Sequence, residues 1–166
     1  MKKGKAHVLK PFNNINTDYI ISGRYKFRIS DIKELAKYIF EDIYPNFYKR
    51  MKRGDYIVAG ENFGCGSSRE QAPLVIKETG AAAVLAKSFA RIFFRNAFNI
   101  GLCAVQCDTS AIEEGDVIQL DLKKGVVFNR SKNTEIKTMP IPNLMRKLLN
   151  DGGVIRHFKK YGDFRI

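Results

Sequence analysis

A chain of 166 residues, 45% hydrophobic and 28% charged, suits one globular domain over residues 1–166 with a real buried core. No stretch approaches the roughly 20 apolar residues of a membrane span. The basic start Met1-Lys2-Lys3-Gly4-Lys5 runs into Ala6-His7-Val8-Leu9-Lys10-Pro11, too short and polar for a signal peptide, so a cytoplasmic protein is expected. A net charge of +12 is compatible with an anionic partner; Lys and Arg are spread along the chain and match no RNP1 or zinc-finger pattern, and an acidic protein, a dicarboxylate or a hot or salty habitat explains the charge as well as nucleic acid does.

Taken in order, Lys5 to Pro11 reads as a strand ending in a turn at Pro11-Phe12-Asn13-Asn14. Asn16-Thr17-Asp18 are loop residues of the kind that bond their own backbone. Ser22 to Ile29 reads as a basic loop. Ser30-Asp31 suits the N-cap of an amphipathic helix whose apolar residues Ile32, Leu35, Ala36, Ile39 and Phe40 recur at helical spacing. Pro45 closes that region, and a short turn over Phe47 to Met51 leads to a buried strand, Tyr56 to Ala59.

Beyond Arg69 a helix is expected to run to Glu78 or Thr79 and stop at Gly80. Ala81 to Ala86 is apolar on both faces, as a buried parallel strand would be. A helix from Ser88 to Phe98 should turn Phe89, Ile92, Phe93 and Ala97 inward, with Arg91 and Arg95 opposite, before a strand over Ile100 to Val105. This alternation implies right-handed crossovers and a parallel sheet. Val117 to Leu122 and Val126 to Phe128 read as a β-hairpin, with a further strand over Glu135 to Met139, a helix over Asn143 to Asn150 and a basic tail from Val154 to Ile166. The fold class is thus α/β: a mostly parallel sheet flanked by helices, with an added hairpin.

Between the strand at Tyr56 and the helix after Arg69 lies Gly60 to Gln71, reading GENFGCGSSREQ. Gly, Ser and Asn are ordinary strand-to-helix turn residues, yet three glycines, a thiol, two hydroxyls and an Arg exceed what a turn requires. Ser67 or Ser68 followed by Glu70 or Gln71 fits a capped helix start, and free amides, hydroxyls and a planar guanidinium together suit an anion. The spacing is neither GxGxxG nor a P-loop, so a carboxylate ligand fits at least as well as a nucleotide. Cys65, Cys103 and Cys107 lack CxxC or cluster spacing, which points to no disulfide framework, zinc site or iron–sulfur ligation in this chain alone. Cys103 and Cys107 read as buried thiols. Cys65 is a possible nucleophile, though neither His7 nor His157 is near it in sequence.

Gly64-Cys65-Gly66-Ser67-Ser68-Arg69-Glu70-Gln71 resembles the GSSRE signature of the aconitase superfamily's swivelling β/β/α domain, in the form of the separate small subunits of 3-isopropylmalate dehydratases, with homoaconitase small subunits as neighbours. Asn16-Thr17-Asp18-Tyr19-Ile20-Ile21, Gly54 to Gly60 and Ala86 to Asn96 carry the same resemblance, which spans nearly the whole chain. It implies a hydro-lyase that removes water from a hydroxy-dicarboxylate and adds it back the other way round. It also implies that Ser67 is the base, that Ser68 and backbone amides hold a carboxylate, that Arg69 clamps it and that Asp18 orients its neighbours. The family's electrophile is a [4Fe-4S] cluster on a large-subunit partner. A loop beginning at Tyr25 reads the substrate's side group in that family; here Tyr25-Lys26-Phe27-Arg28 replaces the usual pattern and is about one residue longer. Phe27 would suit an isopropyl group, Arg28 a distal carboxylate as in homoaconitase. A non-catalytic anion- or RNA-binding module is the alternative of another class.

Overall fold

The computed structural model describes residues 3–163; Met1 and Lys2 of the basic start and Phe164, Arg165 and Ile166 of the basic tail lie outside the described residues. In chain order the elements are β1 (Gly4–Val8), α1 (Thr17–Ile20), α2 (Gly23–Lys26), α3 (Ile32–Ala36), α4 (Phe47–Arg50), β2 (Tyr56–Val58), α5 (Gln71–Glu78), β3 (Ala83–Ala86), α6 (Arg91–Ile100), β4 (Ala104–Gln106), β5 (Val117–Asp121), β6 (Val126–Asn129), β7 (Thr134–Lys137), α7 (Asn143–Asp151) and α8 (Val154–Tyr161). The stretch from Ser22 to Ile29 is not the plain loop that its composition suggests: Gly23 to Lys26 wind into α2, and Tyr25 stacks on Tyr38 at 4.3 Å.

One seven-stranded sheet runs β4-β3-β2-β1-β5-β6-β7. β1 to β4 pair in parallel, with His7 opposite Ile57 and Ile57 opposite Val84, while β5 to β7 continue from β1 as an antiparallel meander. The two ends of this order meet. Cys107 and Thr138 form an antiparallel bridge, and the Met139 amide donates to the Gln106 carbonyl at 2.8 Å, so the sheet curls until its edges join. That contact pairs the edges only just past the ends of β4 and β7, while most of β7 stays exposed with charged residues along it.

Strand alternation sorts the core into two layers. Ile57, Ala59, Val84, Ala86 and Ala104 face the helices, where they meet Val75 and Ile76 of α5 and Phe93, Ala97 and Phe98 of α6. Tyr56, Val58, Ala83, Leu85 and Val105 face the inside of the curl and meet Ile118, Leu120 and Val127. Across it, the Leu120 amide donates to the Tyr56 hydroxyl at 3.1 Å. Both faces of β2 and β3 are buried, which explains their unbroken apolar runs.

The helical side is held by a cation at two helix ends. Lys77 of α5 donates to the Ile100 carbonyl and, at 3.2 Å, to that of Gly152, the last turns of α6 and α7. Burial, then the nearby Arg156, lowers the pKa of Lys77. A Cβ on Gly101 would lie 2.4 Å from the Gly152 carbonyl carbon, so glycine alone lets these two ends approach. The basic tail from Val154 becomes α8, anchored where His157 Nδ1 meets Asp151 Oδ2 at 2.7 Å.

Candidate active site

Beyond the C-terminal ends of β1, β2 and β3 the chain keeps pairing in single steps, and this fixes the glycine-rich loop. Gly64 donates its amide to Ile15 O at 2.7 Å, and the Thr17 amide donates to Cys65 O at 2.9 Å. On the other side the Phe63 amide donates to Ser88 O at 3.0 Å and the Ala90 amide to Phe63 O at 2.9 Å. The loop is thus clamped between the Asn16-Thr17-Asp18 segment and the start of α6. The ends of parallel strands are where α/β sheets place ligands.

Gly64 makes the clamp possible. Its φ is +78°, and a Cβ there would sit 2.2 Å from the ring of Phe93. The same ring packs edge-on against Phe63, with centroids 5.0 Å apart. Gly66, at φ +88°, then turns the chain, and the Arg69 amide closes a tight turn onto Ser67 O at 2.8 Å.

The serines do not cap α5. The helix begins at Gln71, its N-cap position is Glu70 in helical conformation, and no side chain bonds the first-turn amides. Because the tight turn over residues 67 to 69 intervenes, both hydroxyls stay ahead of the helix. Pro73 in the first turn needs no amide partner and suits this start. The helix terminus at the site is instead that of α6.

Ser67, Ser68 and Arg69 line a cavity of about 220 Å³ together with Thr17, the α6 residues Arg91, Ile92 and Phe93, and Asn96. Thr17 is buried and donates its hydroxyl to Ser67 O at 3.1 Å, fixing the backbone from which the serine hydroxyl projects. Arg69 donates from Nη1 to the carboxylate of Asp18 and, at 3.4 Å, to Ile21 O. Its side chain is 15% exposed against 55% for Asp18, so the guanidinium is held from one side and turned to the cavity. The first amides of α6 have no partner within the helix and add a positive field. The hydroxyls of Ser67 and Ser68, the guanidinium groups of Arg69 and Arg91 and the start of α6 thus border one cavity.

Asp18 and Arg69 are therefore brought to the serines. Tyr25, Phe27 and Arg28 are not among the cavity-lining residues. They sit on α2 and just after it, with Phe27 83% exposed under the Lys26 ammonium and Arg28 exposed. Reasoning from sequence missed Thr17's hydroxyl, Arg91 and Asn96, although all lie in segments that carry the resemblance. It also turned Ile92 inward, whereas Ile92 is 51% exposed and the buried face of α6 is Phe93, Ala97 and Phe98. The helix starts at Arg91 rather than Ser88, which leaves Ile92 on the first, open turn.

Among the described residues no group of three or more His, Cys, Asp or Glu side chains could hold a metal ion. The cysteines do not converge as cluster ligands: Cys103 and Cys107 flank β4, and burial pushes both thiols up to about 12, while Cys65 lies in the glycine-rich loop. No helix among the described residues is long and apolar enough to cross a membrane.

Residues 2–110 match the Aconitase C-terminal domain family. The chain is 52% identical over 154 residues to the 3-isopropylmalate dehydratase small subunit 2 of Archaeoglobus fulgidus, covering 93% of each. It is 51% identical over 159 residues to the 3-isopropylmalate dehydratase small subunit of Caldicellulosiruptor saccharolyticus, covering 95% of this chain and 90% of the relative. Its fold superimposes on the crystal structure of 3-isopropylmalate dehydratase (LeuD) from Methanocaldococcus jannaschii with a TM-score of 0.91 and 47% identity, covering 96% of this chain and 94% of the other. The chain belongs to the Aconitase C-terminal domain family, among the small subunits of 3-isopropylmalate dehydratase.

Proposed function

We propose that this chain, acting as one swivelling unit over residues 1–166, is the small subunit of a cytoplasmic 3-isopropylmalate dehydratase and interconverts 2-isopropylmalate and 3-isopropylmalate in leucine biosynthesis together with a large-subunit partner. The observation that carries the reading is the placement of Ser67, Ser68 and Asp18-tethered Arg69 around one cavity at the start of α6. In the dehydration, Ser67 takes the proton from the carbon next to a carboxylate, and the electron pair of that C–H bond becomes the new C=C as the neighbouring hydroxyl departs. Rehydration returns hydroxyl and proton to exchanged carbons. Ser67 must act as an alkoxide, which the guanidinium of Arg69 and the dipole of α6 favour. Ser68 and the loop amides hold one carboxylate. Among the described residues no side-chain group fits cluster ligation; a [4Fe-4S] cluster held by the large subunit would polarise the departing hydroxyl.

The test is anaerobic reconstitution with the cognate large subunit, following absorbance of the unsaturated intermediate with 2-isopropylmalate and, separately, homocitrate. Turnover of 2-isopropylmalate by the mixture, and by neither subunit alone, is expected. Activity confined to homocitrate reassigns the chain to homoaconitase. With no activity on either acid, together with salt-sensitive RNA binding, the anion-binding module takes its place.

A further inference from the structure

The cavity contains a second guanidinium with different company. Arg91 is the first residue of α6 and lines the same cavity as the serine turn; its side chain is exposed, and among the described residues it has no hydrogen bond or ion pair. Arg69, by contrast, already shares its charge with Asp18. The two cations are therefore not equivalent. One is positioned but partly neutralised, and the other is uncompensated beside the amide-rich end of a ten-residue helix, where negative charge is favoured. A hydroxy-dicarboxylate brings two carboxylates, and a cavity holding one clamped guanidinium leaves the second without a partner. Exposed Ile92, next along the helix, offers an apolar surface beside that charge.

We infer that Arg91 is a substrate-binding residue for the second carboxylate, Arg69 and Ser68 taking the first; this rests on the dehydratase reading above. A second planar fork in the cavity wall gives the substrate its requirement for two acid groups, and so rejects monocarboxylates. Arg95, one turn further on, is exposed as well but lies outside the cavity, which makes it the control for a mere loss of surface charge.

The experiment uses the reconstituted two-subunit enzyme with Arg91→Ala, Arg91→Lys and Arg95→Ala, and competitive inhibition by malate, a dicarboxylate, and lactate, its monocarboxylate counterpart. For Arg91→Ala, the KM for 2-isopropylmalate and the Ki of malate should rise about 10- to 100-fold, as expected for losing a charge-assisted pair. The Ki of lactate should stay within about twofold, Arg91→Lys should recover part of the malate affinity, and Arg95→Ala should change none of these. Equal weakening of malate and lactate, unchanged constants, or loss of co-elution with the large subunit would overturn the assignment. Wild-type enzyme that fails to turn over 2-isopropylmalate overturns the dehydratase reading first, before any variant is compared.

Discussion

The guanidinium of Arg69 is held by the carboxylate of Asp18, a residue 51 positions away in sequence. Asp18 sits in the first turn of α1, whose N-cap Asn16 accepts from the Tyr19 amide at 2.8 Å. Asn16 also bridges to Cys65 in the loop that presents Arg69. A loop that would otherwise place its Arg by side-chain entropy alone thus has its geometry set by a second, capped segment.

Asp18→Asn should therefore lower kcat/KM of the reconstituted enzyme by about 10- to 100-fold through loss of Arg69 orientation. Stability should change by less than about 1 kcal/mol, because the Asp18 partner is exposed. Steady-state kinetics beside urea unfolding separate the two effects; a large stability loss with unchanged kinetics would count against an orienting role.

Gly64→Ala combines a left-handed backbone position with a Cβ driven into the Phe93 ring. Strain and forced repacking together should cost more than about 2 kcal/mol. Gly125→Ala is the contrast: its φ of +66° carries similar backbone strain, but its nearest neighbour, Thr138 Oγ1, is 3.5 Å away. Urea midpoints should rank wild type, Gly125→Ala, Gly64→Ala in falling order.

Most of the sheet was legible from its apolar patterning, unbroken in the buried parallel strands and alternating in the hairpin. β2 and β3 are apolar on both faces, and β5 and β6 flank Lys123-Lys124-Gly125, so pattern and punctuation agree. The edge closure between Gln106 and Met139 left no sequence signal, since it depends on how far the sheet twists. In the site, the glycines and the Arg were visible, but the helix behind them was misjudged. Ser67-Ser68 looks like a cap in one dimension, and only the Ser67–Arg69 turn shows that α6, more than 20 residues later, supplies the helix end. Thr17 looked like a loop residue because a buried hydroxyl cannot be told from an exposed one without its acceptor on Ser67.

The three thiols should separate by reactivity. With a pKa of about 12, Cys103 and Cys107 are thiolate in only about one molecule in ten thousand at pH 8, and both are buried. In the native chain iodoacetamide should modify Cys65 alone among the three, and urea should expose all of them. Modified Cys65 lies between Gly64 and Gly66, so labelling should also abolish turnover in the reconstituted enzyme. Peptide mapping that finds Cys103 or Cys107 labelled at the same rate would contradict the burial.

Asp55 gives the fold a pH-dependent anchor. Burial pushes its carboxyl up, but His7 Nε2 at 2.9 Å and the amides of Lys5 and Lys52 at 2.9 and 3.0 Å outweigh this and bring its pKa below the ordinary 3.8. With Asp55 ionised, His7 must carry its proton on the nitrogen facing it. A folded pKa below the unfolded value means that, in the window beneath about pH 4, the unfolded chain takes up the proton first. The stability from Asp55 is complete above that window and disappears as pH falls through the folded pKa. Asp55→Asn should cost about 1–3 kcal/mol at pH 7, where a buried charge-assisted network is broken. It should also flatten part of the fall in unfolding free energy between pH 5 and pH 3, leaving the share of other depressed carboxylates such as Asp116. Parallel curves for wild type and Asp55→Asn over that range would show that the His7–Asp55 pair does not carry this dependence.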